Sequence, residues 1–279
     1  MADCDLCGKK AGLFRRRHEE CLKIHERGAA EIIEIIAQAA TSAGPMESLL
    51  SRVEGVASKS YIASRNLPEL MVKGWESAVD RALDDDLLTT EEEVSLGRLA
   101  EVVGLSRELL DASGARTKLV KACVIRELLA DKLPHRVKIS GTLPFNLQKT
   151  EDIVWLFNDV SYYEERTTTT YSGGYQGISL RVAKGVYYRT GGFRGHPTPV
   201  TKTVQVDNGV LAATGRHLYF AGKSKSFRVP YSKIVTFTPY QDGIGIHRDA
   251  MTAKPQLLIT GDGWFTFNLV TNLARIAAS

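Results

Sequence analysis

Gly209-Val210-Leu211-Ala212-Ala213-Thr214-Gly215-Arg216-His217-Leu218-Tyr219-Phe220 is the clearest β text in the chain, and it decides how the second half folds. Apolar residues run from Val210 to Ala213 and from Leu218 to Phe220, with Gly209 in front. Short apolar runs bounded by turn residues read as strands. The text on both sides is alike. Upstream, the β region opens near Leu143 to Leu147, and residues 151–156 and 160–165 follow. Thr167 to Thr170 favours extended chain, Ser172-Gly173-Gly174-Tyr175 reads as a turn, and residues 178–182, 186–189 and 203–206 read as strands. Downstream, residues 226–235, 243–246, 256–259 and 264–267 complete the sheet. Leu269, Val270, Leu273 and Ile276 then recur at helical spacing. Many short strands at regular spacing predict a barrel or sandwich, closed here by a helix.

Before position 140 the text is different. Ala29, Ile32, Ile33, Ile36, Ala37 and Ala40 form one helical face, which Ser42-Ala43-Gly44-Pro45 should end. Leu49 to Val56 and Met71 to Leu83 give two more helices. Thr89-x-x-Glu92 and Thr90-x-x-Glu93 are capping-box spacings that start a fourth helix, which Gly104 ends. Ser106 caps a short helix. Residues 119–129 have the widest apolar face and read as the centre of a bundle, with Cys123 as a buried small hydrophobe.

The chemistry lies in the first 27 residues, where Cys4, Cys7, Cys21 and His25 read C-x2-C-x13-C-x3-H. Thiolate sulfur and imidazole nitrogen at such spacing are the ligands of a structural Zn2+. Cys4-x-x-Cys7-Gly8 is a knuckle, whose glycine tolerates the tight turn. Cys21 and His25 share a helix face at i and i+4. His18, three residues before Cys21, lies on that face too and is the alternative fourth ligand. Knuckle plus helix predicts a ββα or treble-clef-like finger. Four protein ligands leave no place for a reactive water.

The 279 residues predict three regions of a multidomain α+β protein: a zinc finger at 1–27, an all-α bundle at 28–136 and a mainly antiparallel β-barrel with a C-terminal helix at 138–279. With 43% hydrophobic and 24% charged residues, the composition is that of an ordinary globular protein. A net charge of +4 permits anionic partners without demanding them. No apolar h-region follows the start and no stretch is long enough to span a bilayer, so the expectation is a cytoplasmic protein whose thiols stay reduced.

Within the helical part, residues 79–129 resemble the TerB-like domains of bacterial tellurite-resistance and stress-associated proteins. The resemblance rests on the acidic turn at residues 83–89, the Glu-rich helix start and Val102-Val103-Gly104-Leu105-Ser106, and places a TerB-like domain within about 70–132. The turn lacks the family's Asp-Gly. Its acids, Asp84, Asp85 and Asp86 with Glu91, Glu92 and Glu93, would either bind a cation or simply favour a helix start. In the β part, Gly209-Val210-Leu211-x-x-Thr214-x-x-His217-Leu218-Tyr219-Phe220 and Val229-Pro230-Tyr231-x-x-Ile234-Val235 resemble pleckstrin-homology-like and GRAM-like barrels. Residues 172–199 exceed a minimal barrel of that kind.

Two basic groups stand out. Arg216, Lys223, Lys225, Arg228 and Lys233 fall in a stretch, 208–241, without acids. They read as an anionic-ligand patch on the hairpin at residues 222–225, or as edge-strand charges that discourage aggregation. Arg15, Arg16 and Arg17 are candidate nucleic-acid contacts, although Asp3, Asp5, Glu19, Glu20 and Glu26 balance that region. The glycine-rich pieces match neither a P-loop nor a dinucleotide fingerprint. His196, His217 and His247 pair in sequence with no nucleophile. The expected function is therefore a non-enzymatic adaptor, with a place in a stress response, that binds a protein, peptide or anionic surface. A nucleic-acid-binding zinc-finger protein and a peripheral phospholipid-binding protein are the alternatives.

Overall fold

The change in composition near position 140 is also a change in architecture. The structure is a computed structural model describing residues 2–12, 15–41, 46–84, 88–139, 141–183, 186–250 and 253–278, with backbone alone at residues 2, 12, 47, 167–183 and 186–200. It divides into two units, Met1–Lys132 and Leu133–Ser279.

In the first unit, β1 (Ala2–Asp3) pairs antiparallel with β2 (Lys10–Gly12). Helix α1 (Glu19–Ala39) follows, then α2 (Leu49–Lys59), α3 (Leu67–Ala82), α4 (Thr90–Val102), α5 (Arg107–Leu110) and α6 (Ala115–Leu129). The boundary expected after residue 27 falls inside α1, which runs unbroken from Cys21 to the buried Ile32 and Ile36.

Local capping sets the ends. Thr89 accepts from the Glu92 amide at 3.2 Å, and Glu92 accepts from the Thr89 amide at 2.8 Å. This reciprocal pair satisfies two amide donors at the start of α4. Gly104, at φ +67°, turns the chain after that helix. Ser106 caps α5 through the Leu109 amide at 3.3 Å. Of the acidic turn, Asp84 is exposed, while Asp85 and Asp86 lie outside the described residues. Glu92 serves the cap, and Glu93 pairs with Arg126 of α6.

The central helix is α3, not α6. It packs against α1, α4, α5 and α6, and its Trp75 is buried with Nε1 donating to the Leu96 carbonyl at 3.0 Å. Helix α6 buries Cys123, Val124, Ile125 and Leu128 but leaves Leu129 outside, so its wide apolar face is only partly used. Helices α1 and α3 meet closely at Gly74. A Cβ there would lie 2.5 Å from Ile36 Cβ and 3.0 Å from the Ile33 carbonyl oxygen.

The second unit contains β3 (Ile153–Ala183), β4 (Val186–Thr214), β5 (His217–Gly222), β6 (Ser226–Pro230), β7 (Ile234–Pro239), β8 (Gly243–Arg248), β9 (Gln256–Ile259) and α7 (Gly263–Ala278). They form one antiparallel sheet in the order β6-β5-β4-β3-β9-β8-β7. The two outer strands, β6 and β7, are joined by a single 3-10 turn, Tyr231–Lys233. A three-residue link between opposite edges requires the sheet to curl on itself. Helix α7 packs on β7, β8 and that turn.

Three local expectations change. Trp264 to Phe267 is the first turn of α7 rather than a strand, because Asp262 accepts from the Phe265 amide at 3.0 Å and starts a helix. Ser172 to Tyr175 is not a turn: pairing continues through Gly173↔Gly195 and Gly177↔Gly191 to Ala183↔Val186. Residues 143–147 form no strand; Leu143, Phe145 and Leu147 pack instead on Ile153, Ala212 and Tyr219.

Two glycine substitutions should have opposite signs. Gly74→Ala forces α1 and α3 apart and should cost about 1–3 kcal/mol. Gly97→Ala, in α4 with nothing within 4 Å of the added carbon, should stabilise by about 1 kcal/mol. Denaturant midpoints of the two variants against the parent chain check both.

Candidate metal centre

The centre is assembled by the knuckle and the first turn of α1. After β1 the chain folds back on itself: the Gly8 amide donates to the Cys4 carbonyl at 2.9 Å, and the Cys4 amide to the Lys9 carbonyl at 2.7 Å. Gly8 has φ +71°, a conformation that favours glycine over a side-chain-bearing residue. The Asp5 amide donates to the Arg16 carbonyl at 2.9 Å, which brings the segment before α1 alongside the knuckle. His18 then precedes the helix in extended conformation, with φ −74° and ψ 145° and no capping bond from its side chain.

This brings Cys4, Cys7, His18 and Cys21 together, with one ligand atom from each and all four atoms within 4.8 Å of one another. His18 Nδ1 lies 3.4 Å from Cys7 Sγ and 3.6 Å from Cys21 Sγ. A tetrahedral ion with arms of about 2.0–2.3 Å has ligand–ligand edges of about 3.3–3.8 Å. The donor set, three thiols and one imidazole nitrogen, therefore fits a tetrahedral metal ion in kind and in size. His18 Nε2 sits 3.1 Å from the Lys10 carbonyl, so that nitrogen carries the proton and Nδ1 turns its lone pair to the sulfurs.

The acid–base behaviour of these groups without an ion is uneven, and only Cys4 is shifted toward its ligating form. Burial opposes ionisation of Cys4, yet hydrogen bonds from the backbone of Cys7, His18 and Leu6 and from the Cys7 thiol outweigh it and bring Cys4 down to about 6. Burial, followed by the hydrogen bond and charge of Cys7 and the charge of Cys4, pushes Cys21 up to about 11. Burial first, and then the neighbouring sulfurs, keep Cys21 protonated without an ion, and a bound cation would favour its thiolate. The Lys10 carbonyl, then the Cys7 sulfur, raise His18 above the usual imidazole value against the effect of burial.

The structure does not bring His25 to the cluster. Its Nδ1 lies 3.2 Å from the Ser60 carbonyl just after α2, and so ties α1 to the bundle. His25 stands a turn beyond Cys21, whereas His18 stands ahead of the helix and can fold back over its first turn. Arg15, Arg16 and Arg17 are exposed, and Arg17 Nε lies 3.6 Å from Asp5 Oδ2. Among the described residues no other group of three His, Cys, Asp or Glu side chains converges in this way.

The five basic residues expected to form an anionic-ligand patch, Arg216, Lys223, Lys225, Arg228 and Lys233, are all exposed but are spread along the sheet. The amides of Ser224 and Lys225 both donate to Asp207 Oδ2 at 2.7 Å. The hairpin at residues 222–225 thus already holds a carboxylate of its own chain, and these amides keep Asp207 below the usual carboxylate range. Lys225 Nζ lies 3.3 Å from Glu164, and Arg228 lies 6.0 Å above the Tyr219 ring. Arg216 precedes β5 and the hairpin follows it, so they occupy opposite ends of that strand. Lys233 lies in the 3-10 turn.

One constellation was not visible in the sequence. Glu151, its side chain 4% exposed, accepts from the Tyr219 hydroxyl at 2.5 Å and from His217 Nδ1 at 2.5 Å. Sixty-six positions separate Glu151 from His217, and no local motif links them. Both line a cavity of about 650 Å³ in the β unit.

Metal analysis of purified variants distinguishes the two histidines. His25→Ala should keep a full equivalent of metal, and His18→Ala and Cys21→Ser should each lose most of it. Co2+ substitution, with its thiolate charge-transfer absorption, reads the same difference in solution. Neither the protein-family models nor the curated proteins compared with this sequence give a match.

Proposed function

We propose that the protein is a non-enzymatic cytosolic adaptor built on one structural Zn2+, recognising a protein, peptide or anionic surface through its β unit. The observation that carries this reading is the four-residue ligand set at the root of α1. A four-ligand protein set fills a tetrahedral zinc and leaves no position for substrate or water. The ion would supply charge compensation and a fixed crosslink between knuckle and helix, while the chain's own residues position the helix. The free state of all four cysteines is in keeping with a reducing compartment. No helix among the described residues is long and apolar enough to cross a membrane.

The TerB-like and GRAM-like resemblances belong to this proposal, as does a role in a bacterial stress response. Supporting the latter resemblance are an antiparallel meander that curls and a helix that follows its last strand. Against a phospholipid headgroup at the hairpin stands Asp207, which already takes the Ser224 and Lys225 amides. Nucleic acid remains the competing partner, since Arg15 and Arg16 are exposed beside the knuckle.

Two measurements test the proposal. Removal of metal with a chelator should lower the melting temperature of the Met1–Lys132 unit and leave the Leu133–Ser279 unit's transition in place. Mobility shift with DNA and RNA at two salt concentrations should show only weak association. Tight, steeply salt-dependent binding that disappears in an Arg15/Arg16/Arg17→Ala variant would overturn the adaptor reading in favour of nucleic-acid binding.

A further inference from the structure

The cavity beside β5 holds a polar arrangement that the adaptor reading does not use. Among its lining residues, Glu151 has a side chain 4% exposed and both its oxygens engaged, one by Tyr219 and one by His217. A buried carboxylate is costly unless fully partnered, and this one fixes the imidazole by holding Nδ1. The turn that presents the ring is itself held. Thr214 Oγ1 accepts from the His217 amide at 2.9 Å and from the Arg216 amide at 3.3 Å, and the buried Tyr231 hydroxyl donates to the Thr214 carbonyl at 3.0 Å.

Two groups are left over. His217 Nε2 has no partner among the described residues, and it is not sealed off either, since it is absent from the fully buried unpartnered side-chain atoms, of which Gln256 Oε1 on β9 is the one found among the described residues. Arg216, the adjacent residue, is exposed at the same cavity, and its guanidinium makes no ion pair or hydrogen bond among the described residues. The other ionisable pair at the cavity is His135 with Asp152, 3.9 Å apart. The guanidinium is thus without a side-chain partner among the described residues and adjacent in sequence to an oriented imidazole; the carboxylates at the same cavity, Glu151 and Asp152, each lie beside a histidine.

We propose that this cavity binds a small molecule through a phosphate group, held by Arg216 and His217. The fork of a guanidinium matches two phosphate oxygens. A phosphate near its second ionisation also carries an O–H for part of the time, so it can donate to Nε2 or accept from it, whichever protonation state the imidazole adopts. A carboxylate lacks the first option. The cavity's volume of about 650 Å³ exceeds what a phosphate alone occupies and lies in the range of small-molecule sites. The site is distinct from the hairpin at residues 222–225, which lies at the far end of β5, a strand of six residues spanning about 20 Å.

The test is titration of the full chain with inorganic phosphate and with phenyl phosphate, following the His217 imidazole resonances by NMR at constant ionic strength. Both should shift the His217 signals saturably, with phenyl phosphate binding more tightly because it fills more of the cavity. Arg216→Ala should weaken binding by about tenfold or more. The Arg216 side chain is exposed and has no partner among the described residues, and its backbone bonds survive the change, so this variant should fold normally, which an unchanged amide spectrum elsewhere verifies. Lys223→Ala should bind as the parent does. The proposal is overturned if neither compound shifts His217, if acetate shifts it equally at the same concentration, or if Arg216→Ala and Lys223→Ala respond alike. None of these outcomes depends on the zinc assignment.

Discussion

Three sulfurs and an imidazole nitrogen gathered within 4.8 Å impose an electrostatic constraint on which the first unit depends. Hydrogen bonds bring Cys4 down to about 6, while burial, and after it the neighbouring sulfurs, push Cys21 up to about 11. A divalent cation reverses the push on Cys21, since each thiolate then gains from its presence. The consequence travels along one element. Helix α1 begins at this cluster and continues into the core through Ile32 and Ile36. Its middle is fixed by close approaches: Gly28 passes so near Ser60 that an added carbon would lie 2.1 Å from the hydroxyl oxygen. The N-terminal knuckle and the bundle are therefore mechanically one body, joined by a helix that neither could shift alone.

The β unit meets a different constraint, the placing of charge inside a curled sheet. Asp207 and Glu151 are each satisfied within the chain, one by hairpin amides and the other by a phenol and an imidazole. Both bonds fasten loops to strand ends. Asp207 closes the hairpin after β5, and Glu151 pins the segment entering β3 onto the start of β5, where Phe145 also packs at 5.9 Å from the Tyr219 ring. Strand β5 thereby serves as the frame on which both ends of the curled sheet are organised.

Much of this was legible because it is local. The Thr89–Glu92 cap, the Gly104 stop, the Ser106 cap and the knuckle glycine each depend on residues within a few positions, and each forms as its spacing indicates. The multidomain α+β class follows from periodicity alone. What was not legible depends on distant partners. Whether His18 or His25 approaches the thiols depends on where α1 starts and which side of it faces the bundle. The glycines at 173 and 177 are consistent with a turn until their partners at 195 and 191 are known. The aromatic run at 264–267 has strand composition, and the Asp262 cap outweighs it. Glu151 and His217 have no sequence signature because the contact exists only after β3 and β5 are placed in one sheet.

The strand order carries a consequence for how the second unit forms. Hairpin contacts between successive strands can form as soon as each strand is available. The pairing of β3 with β9 cannot, since Ser161 meets Ile259 and Glu164 meets Gln256. Closing so long a loop delays those contacts relative to local ones. During synthesis one edge of β3 therefore stays open until β9 has been made, and only then can the sheet join its two halves. The interval is the time when this chain most needs protection from pairing with a neighbour.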